Sequence, residues 1–284
     1  RLLPVLIGHG HEVICCVRDR RRFNSAKYGS PLVQVIEVDF LDQKTLGRIP
    51  EDIDAAYYLI HSMATTSDAG FESLEAQSAR YFKERMEQTR VRQVIYLSGI
   101  VNEEQLSRHL LSRKNVEEIL SSGTYALTTL RAGIIVGSGS ASFEIIRDLV
   151  EKLPVMIAPR WLDTRSQPIA IRNVVEFLHG VLLREATYRQ SYDIGGPEVL
   201  SYKQMLLQFA AVRKLRRYIW TVPVMTPKLS SYWLYFITST SYHLAQNLVD
   251  SMKINVICRP NKLAADLGIE LLSYKTAVEM AFQR

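Results

Sequence analysis

Cysteine is scarce in this sequence, and its longest apolar stretch is interrupted. Cysteine occurs three times in 284 residues. No Cys-x-x-Cys spacing is present, so we expect neither a bound metal nor a disulfide framework. Cys15 and Cys16 are predicted to be small core residues of one strand. Pro223 and Pro227 break the apolar stretch 220–248, which argues against a transmembrane segment. A reducing compartment is favoured, and we expect a cytoplasmic protein.

Cations outnumber carboxylates, but most of them are dispersed along the chain. The net charge is +6, with one dense basic run at 18–22 and a smaller one at 213–217. Aromatic stacking motifs typical of RNA-binding proteins are not evident. The basic runs therefore favour a phosphorylated small molecule or plain solubility, and we expect no nucleic-acid partner. Hydrophobic residues make up 47% and charged residues 23%, as in ordinary folded domains.

Strand-like and helix-like patterns alternate along the first two thirds of the chain. Strands are predicted at 12–17, 33–38, 55–60, 93–97 and 126–130, and helices at 72–88 and 106–120. Further on, helices are predicted at 143–153, 172–184 and 201–213, the last with Ser201 as its N-cap, and short strands at 168–171 and 192–197. This order predicts an α/β fold with a doubly wound, Rossmann-like parallel sheet. Residues 1–137 are predicted to form the dinucleotide-binding domain. Residues 138–284 form a smaller, mixed substrate region, partly interleaved with the first.

The first residues match the body of a helix rather than the start of a sheet. Arg1 to Ile7 has a helical composition, and Gly8 and Gly10 lead into the first predicted strand. A nucleotide-binding sheet begins with a central strand and a glycine-rich turn. We therefore expect one strand and a Gly-x-x-Gly-x-x-Gly-type turn upstream of Arg1.

Several sequence blocks occur in the order found in one enzyme superfamily. They are Val13-Ile-Cys-Cys-Val-Arg-Asp19, Val38-Asp-Phe-Leu-Asp42, Tyr58-Leu-Ile-His-Ser-Met63, Val94-Ile-Tyr-Leu-Ser-Gly99, Leu130-Arg-Ala-Gly133, Gly137-Ser-Gly-Ser-Ala-Ser-Phe-Glu144, Pro168-Ile-Ala-Ile-Arg-Asn-Val174 and Tyr192-Asp-Ile-Gly-Gly-Pro197. Together they resemble the extended and atypical short-chain dehydrogenase/reductases. More closely, they resemble the divergent NmrA-like, or nucleoside-diphosphate-sugar-epimerase-like, NAD(P)H-binding group. The resemblance covers about residues 1–200.

The resemblance implies a set of cofactor-binding positions. Arg18 stands where an acidic residue would accept the ribose hydroxyls of NAD, whereas an arginine suits the 2′-phosphate of NADP. The expected cofactor is therefore NADP, with NAD as the alternative. The implied positions are Arg18, Asp39, Phe40, Leu59, Ile60, His61, Ser62, Arg131 and Gly133. Plainer interpretations stay open: a solvated arginine at 18, a turn aspartate at 39 and an ordinary hydrogen-bonding histidine at 61.

The catalytic helix departs from the superfamily pattern. In place of the usual Tyr-x-x-x-Lys pair it carries His109 and Arg113, which share one helix face. Histidine can donate a proton near neutral pH, whereas arginine stays charged. Ser98 occupies the position of the substrate-orienting hydroxyl. The candidate catalytic residues are Ser98, His109 and Arg113, although the pair can equally serve a non-catalytic role. The segment holding Arg160, Trp161, Arg165 and Gln167 is expected to wall the substrate pocket.

Two functions remain open at this stage. The first is an NADP-dependent oxidoreductase or epimerase-like enzyme acting on an unknown small molecule. Arg160 and Arg165 with Trp161 suggest an anionic or planar ligand, and an ordinary loop with surface cations stays open as the alternative. The second is a non-catalytic NADP-binding redox sensor or assembly scaffold, which the lost Tyr/Lys pair favours. A monomer or a homodimer is expected in either case.

Overall fold

A computed structural model describes residues 1–24, 27–60, 71–101, 108–222 and 254–283. At residues 71, 108, 109 and 159–161 it describes the backbone alone. The chain forms two compact units that interleave along the sequence. The first unit comprises Arg1–Leu97, Lys114–Leu130 and Val175–Ser191. The second comprises Ser98–Arg113, Arg131–Val174 and Tyr192–Arg284. The domain boundary predicted at residue 137 stays a prediction.

Strand and helix alternate in the first half of the chain, as the hydrophobic pattern predicts. The elements up to residue 132 are α1 (Leu2–Gly8), β1 (Val13–Val17), β2 (Val33–Glu37), α2 (Gln43–Leu46), β3 (Ala55–Tyr58), α3 (Phe71–Glu87), β4 (Gln93–Gly99), α4 (Arg108–Ser121) and β5 (Ala126–Ala132). The ends of the predicted elements lie within two residues of the predicted ones, the usual scatter of helix and strand ends. Helix α2 was not predicted, because four residues are too few for a helical hydrophobic period to show.

Shorter elements predominate in the second half. They are β6 (Ile135–Val136), α5 (Ala141–Lys152), β7 (Val155–Pro159), β8 (Arg165–Ser166), β9 (Ile169–Ala170), α6 (Ile171–Gly180), β10 (Gln190–Ile194), β11 (Leu200–Ser201), α7 (Tyr202–Val212), β12 (Tyr218–Val222), α8 (Leu263–Asp266) and α9 (Tyr274–Phe282). Helix α7 begins at the predicted cap: Ser201 accepts a hydrogen bond from the Gln204 amide, and the Gln204 side chain binds back to the Ser201 amide. Such a capping box satisfies two otherwise unpaired amides.

A central parallel sheet has the strand order β10-β5-β4-β3. Strands β3 and β4 pair in parallel from Ala55↔Gln93 to Tyr58↔Tyr96. Strands β1 and β2 form a separate parallel pair. Near-complete burial of β4 and β5 is what a sheet covered on both faces requires. The predicted α/β class with a parallel sheet is confirmed.

Each unit has its own hydrophobic core. In the first unit, Tyr58 and Phe82 meet edge to face with ring centroids 4.9 Å apart, and Tyr96 lies 5.8 Å from Tyr58. In the second unit, Phe143 of α5 and Phe209 of α7 lie 5.7 Å apart. Phe282 of α9 closes against Phe209, also at 5.7 Å. Aromatic pairs at such distances add to the stabilisation that burial provides.

The structure differs from the sequence prediction in the burial of β1 and in the strand pairing of the second unit. Cys16 is exposed and Cys15 only half-buried, so the expectation that both are core residues is wrong. The reason is that β1 pairs only with β2 among the described strands, which leaves the pair less covered than the central sheet. The parallel pairing of β7 with β12 was not predicted. In the described part of the chain, no helix combines the length and hydropathy that a bilayer span needs.

Candidate functional site

Three neighbouring strands of the central sheet end in polar residues of the second unit. Strand β4 ends at Ser98 and Gly99, β5 passes through Arg131, and β10 passes through Asp193. The carboxyl ends of adjacent parallel strands lie at one edge of a sheet, which is where ligands bind in open α/β folds. We call Ser98, Arg113, Arg131, Asp193 and Arg259 the strand-end cluster.

Ser98 has an unusual environment for a hydroxyl group. The residue is 1% exposed, and its Oγ has no hydrogen-bond partner among the described residues. A buried hydroxyl without a partner costs roughly 1–3 kcal/mol. Such a cost is common where a polar group is reserved for a ligand. The substrate-orienting role of Ser98 stays a prediction.

Arg113 lies against the backbone that follows Ser98. A Cβ added at Gly99 would stand 3.4 Å from a guanidinium nitrogen of Arg113 and 3.2 Å from Leu110 Cδ2. A glycine at position 99 therefore allows the arginine to approach the strand end closely. His109 lies one turn earlier on the same helix, α4. The position of its side chain is outside the described atoms.

Asp193 is a buried carboxylate with two arginine partners that sequence reasoning missed. Its side chain is 2% exposed and lies 3.9 Å from Arg131. Arg259 donates to Asp193 Oδ2 from its backbone amide at 2.9 Å and from Nε at 3.2 Å. Asn261 donates to the Asp193 carbonyl at 2.7 Å. Asp193 therefore stands within ion-pair distance of Arg131 at the strand end and holds residues 259–261 to β10. An aspartate at the buried carboxyl end of a short strand was the available signal.

Gly133 is required by packing in this unit. A Cβ there would come within 2.7 Å of the Gln167 carbonyl oxygen. The Gln167 side chain donates to Gly196 O at 2.7 Å and accepts from the Cys258 amide at 3.1 Å. Its amide group is therefore used within the protein rather than turned to a pocket. Burial, with the nearby Asp193 charge, raises the pKa of Cys258 to about 12, so this thiol stays protonated.

The predicted cofactor residues of the first unit lie in two exposed turns. After β1, Asp19 caps a short 3₁₀ helix, Arg20–Arg22. Arg21 binds Asp19 through Nε and a terminal nitrogen, each at 3.0 Å, and these bonds hold the pKa of Asp19 below its ordinary value. Arg20 lines an open groove of about 590 Å³ along β2. Arg18 is exposed and has no carboxylate partner among the described residues.

The second turn follows β2. The Leu41 amide donates to Asp39 Oδ1 at 3.0 Å, and the Asp39 amide donates to the Thr45 hydroxyl at 2.9 Å. The ring of Phe40 packs against Phe82, with centroids 5.7 Å apart. The Phe40 amide donates to no other described residue. This turn therefore uses one carboxylate oxygen of Asp39 internally and presents a backbone donor beside it.

The remaining predicted positions follow β3. Leu59 is exposed and Ile60 is half-buried against the core of the first unit. His61 and Ser62 lie outside the described residues. The structure thus places Arg18, Asp39, Phe40, Leu59 and Ile60 in the first unit, and Ser98, Arg113, Arg131 and Gly133 in the second.

No protein-family model and no curated protein sequence matches the chain. Solved structures do match over nearly its full length. A nucleoside-diphosphate-sugar epimerase from Staphylococcus aureus has a TM-score of 0.78 at 12% identity, with 98% of this chain and 94% of that chain covered. The triphenylmethane reductase of Citrobacter sp. has a TM-score of 0.77 at 13% identity, with coverage of 100% and 94%.

A third neighbour was solved with a cofactor. The NADPH-dependent quinone oxidoreductase of Escherichia coli, complexed with NADPH, has a TM-score of 0.74 at 12% identity, with 99% of this chain and 95% of that chain covered. At such low identity the likeness establishes the fold alone. The resemblance to short-chain dehydrogenase/reductases is therefore confirmed at that level: the chain has the Rossmann-like fold of NAD(P)-dependent epimerases and reductases.

Proposed function

We propose that this protein binds NADP(H) and is an oxidoreductase or epimerase-like enzyme for a small molecule, with NAD as the weaker cofactor. The observation that carries the proposal is the strand-end cluster. It gathers a buried hydroxyl with no partner among the described residues, the buried Asp193 carboxylate with its ion-paired Arg131 and Arg259, and Arg113 beside Gly99, at the carboxyl ends of adjacent strands. The NmrA-like group and a cytoplasmic location belong to the same proposal, as does a monomeric or homodimeric state.

The residues of the first unit fit an NADP molecule. The free Phe40 amide and the second Asp39 carboxylate oxygen offer one donor and one acceptor, which an adenine base can pair with. Arg18 is exposed without a carboxylate partner among the described residues, so its charge is available to a 2′-phosphate. Arg21 is less suitable as a ligand of the 2′-phosphate because Asp19 already binds it at two atoms.

The strand-end cluster supports chemistry on a polar substrate. A bound nicotinamide supplies or accepts hydride. The Ser98 hydroxyl orients a substrate oxygen, and Arg113 holds an anionic or developing negative charge because its guanidinium never loses its proton. His109 is the group on the α4 face that can gain or lose a proton near neutral pH. The charge of Arg113 favours an anionic substrate.

The structural neighbours support this class of function. Their names describe an epimerase of nucleoside-diphosphate sugars, a reductase of triphenylmethane dyes and a quinone oxidoreductase. All three act on small molecules, and no two of these substrates are alike. We therefore propose the reaction class without a substrate, and the choice between reduction and epimerisation is left to the assay.

The test is a screen of the full chain with NADPH. Carbonyl compounds, quinones and dyes are followed by cofactor consumption, and nucleoside-diphosphate sugars by chromatographic separation of epimers. For any substrate found, His109→Phe should lower turnover by about 10² to 10⁴, the usual contribution of a general acid, while NADPH still binds. The control is Lys44→Gln, an exposed change on α2. Full activity of His109→Phe rejects the acid role, and failure of NADPH to bind rejects the proposal.

A further inference from the structure

The outer face of the β7–β12 pair is made of large apolar side chains. The two strands are parallel, with Val155 opposite Tyr218 and Ile157 opposite Trp220. These four residues are between 45% and 59% exposed. The residues that alternate with them are buried in the core of the second unit: Met156, Ala158 and Ile219. We call Val155, Ile157, Tyr218 and Trp220 the apolar face.

An apolar exposed face is unusual for a sheet that has one side in solvent. Such a sheet usually alternates apolar residues toward the core with polar residues toward water. Single exposed hydrophobic residues are ordinary, but contiguous apolar patches on a soluble surface mark interaction sites. The rings of Tyr218 and Trp220 stack with centroids 6.5 Å apart and an angle of 18° between their planes. The apolar face therefore presents two aligned amphipathic rings beside two aliphatic side chains.

Cations border this face, and the nearby carboxylates do not neutralise them. Lys214 and Arg216 are exposed just before β12, and neither has a carboxylate partner among the described residues. Arg217 donates to the carbonyls of Val150, Glu151 and Arg216 rather than to a carboxylate.

The acidic residues of α5 are already paired. Glu151 forms an ion pair with Arg213 at 3.2 Å. Asp148 pairs with Arg147 at 3.2 Å and with Lys152 at 3.0 Å. Among the described residues, no carboxylate therefore compensates the three positive charges at 214, 216 and 217 next to the apolar face.

We propose that the apolar face docks on the surface of an anionic phospholipid bilayer. Tryptophan and tyrosine prefer the boundary between headgroups and acyl chains, because one part of each ring system is apolar and the other polar. Clustered lysines and arginines are attracted to anionic headgroups. The apolar face supplies the inserted groups, and the cations at 214, 216 and 217 supply the attraction.

A second copy of the chain is a poorer occupant. A two-fold dimer places the same patch of both subunits together. The uncompensated cations of one copy would then lie near those of the other, and like charges in an interface are unfavourable. An anionic bilayer has the opposite charge.

The test is flotation of the full chain with vesicles. Vesicles of phosphatidylcholine with about a third phosphatidylserine are compared with vesicles of phosphatidylcholine alone, since docking depends on anionic lipid. We expect the protein to float with the anionic vesicles only, and to be released as salt is raised. The double variant Ile157→Ser/Trp220→Ser should lose about tenfold or more in partitioning, because it removes two inserted side chains.

Matched variants distinguish docking through the apolar face from non-specific adsorption to vesicles. Arg216→Glu should weaken binding about tenfold on anionic vesicles, and Lys262→Glu, with the same change in charge elsewhere, should leave it unchanged. Leu207→Ser removes an exposed leucine of α7 and should also have no effect. If the double variant fails to fold, as judged by circular dichroism, Arg216→Glu still decides the matter. Absence of flotation by the native chain, equal flotation of native and Arg216→Glu protein, or a dimer that dissociates in the double variant would overturn the proposal.

Discussion

The Asp39 turn (residues 39–42) and the strand-end cluster hold their polar groups in opposite ways. The turn is local and partly exposed: the Leu41 amide binds Asp39 Oδ1, and the neighbouring Phe40 amide has no partner among the described residues. The cluster surrounds a buried carboxylate and is built from distant segments, since Asp193 binds a residue 66 positions further along the chain. The turn therefore offers backbone atoms for recognition, whereas the cluster gathers charged and hydroxyl side chains, to which our proposal assigns the chemistry.

The largest expected effect comes from breaking the cluster at its centre. Asp193→Ala should lower the free energy of unfolding by roughly 3 kcal/mol. Breaking a buried pair costs about 3–5 kcal/mol, and solvent access at Arg131 and Arg259 reduces that cost. Chemical denaturation measures it, with Asp193→Asn as the variant that keeps an acceptor. A loss below about half a kcal/mol, the size of an ordinary surface change, would show that the ion pairs are not stabilising.

A smaller loss in the free energy of unfolding is expected at Gly133, where two backbone segments of the second unit pack closely. Gly133→Ala should cost about 1–3 kcal/mol, as overpacking does, because its Cβ would meet the Gln167 carbonyl at 2.7 Å. Gly47→Ala is the matched control in the first unit. Gly47 has helical backbone angles and open space around a Cβ, so alanine there should be neutral or stabilising by up to about 1 kcal/mol. Equal stability of the two variants would contradict the packing role of Gly133.

A substitution in the Asp39 turn should lower the free energy of unfolding less than a substitution in the strand-end cluster. Asp39→Ala removes the acceptor for the Leu41 amide and should cost about 1 kcal/mol, the net value of one hydrogen bond. Asp39→Asn keeps an acceptor and should cost less. The same denaturation experiment measures both. If Asp39→Ala proves as costly as Asp193→Ala, the contrast between an exposed turn and a buried cluster is lost.

The smallest effect concerns thiol reactivity. Burial and the Asp193 charge raise the pKa of Cys258 to about 12, so alkylation at neutral pH should be slow. Asp193→Asn removes the negative charge, lowers that pKa and should speed alkylation of Cys258. The exposed Cys16 serves as an internal reference, and mass spectrometry after quenching resolves the two sites. An unchanged rate ratio would remove Asp193 as a cause of the raised pKa.

Local pattern was enough to predict most of the fold. Apolar strands that alternate with helically spaced segments predicted the parallel sheet. Ser201, as an N-cap, predicted the start of α7. The β7–β12 pairing was missed because five-residue strands that pair across a long stretch of chain leave no local signal. Cys16 was misplaced for a related reason: burial of a strand depends on what covers it, which the strand's own residues do not record.

For the candidate site, the sequence predicted the places of several residues in the fold, and their roles stay predictions. Positions at strand ends, such as Arg18, Asp39 and Ser98, follow from the order of elements and the resemblance. Asp193 and Arg259 were missed because their pairing brings together β10 and the segment near residue 259. Gln167 was assigned to a pocket wall, yet its side chain binds Gly196 and the Cys258 amide. Such assignments require knowledge of which segments meet in space.

The central claim is tested most directly by calorimetric titration of the full chain with NADPH and with NADH. A charge-assisted contact to phosphate contributes roughly 1.5–3 kcal/mol, so NADPH should bind about tenfold to a hundredfold more tightly. Arg18→Asp should reduce or reverse that preference, while Arg90→Asp, an exposed arginine before β4, should leave it unchanged. Equal affinity for the two cofactors in the native protein, or an unaltered preference in Arg18→Asp, would contradict the account.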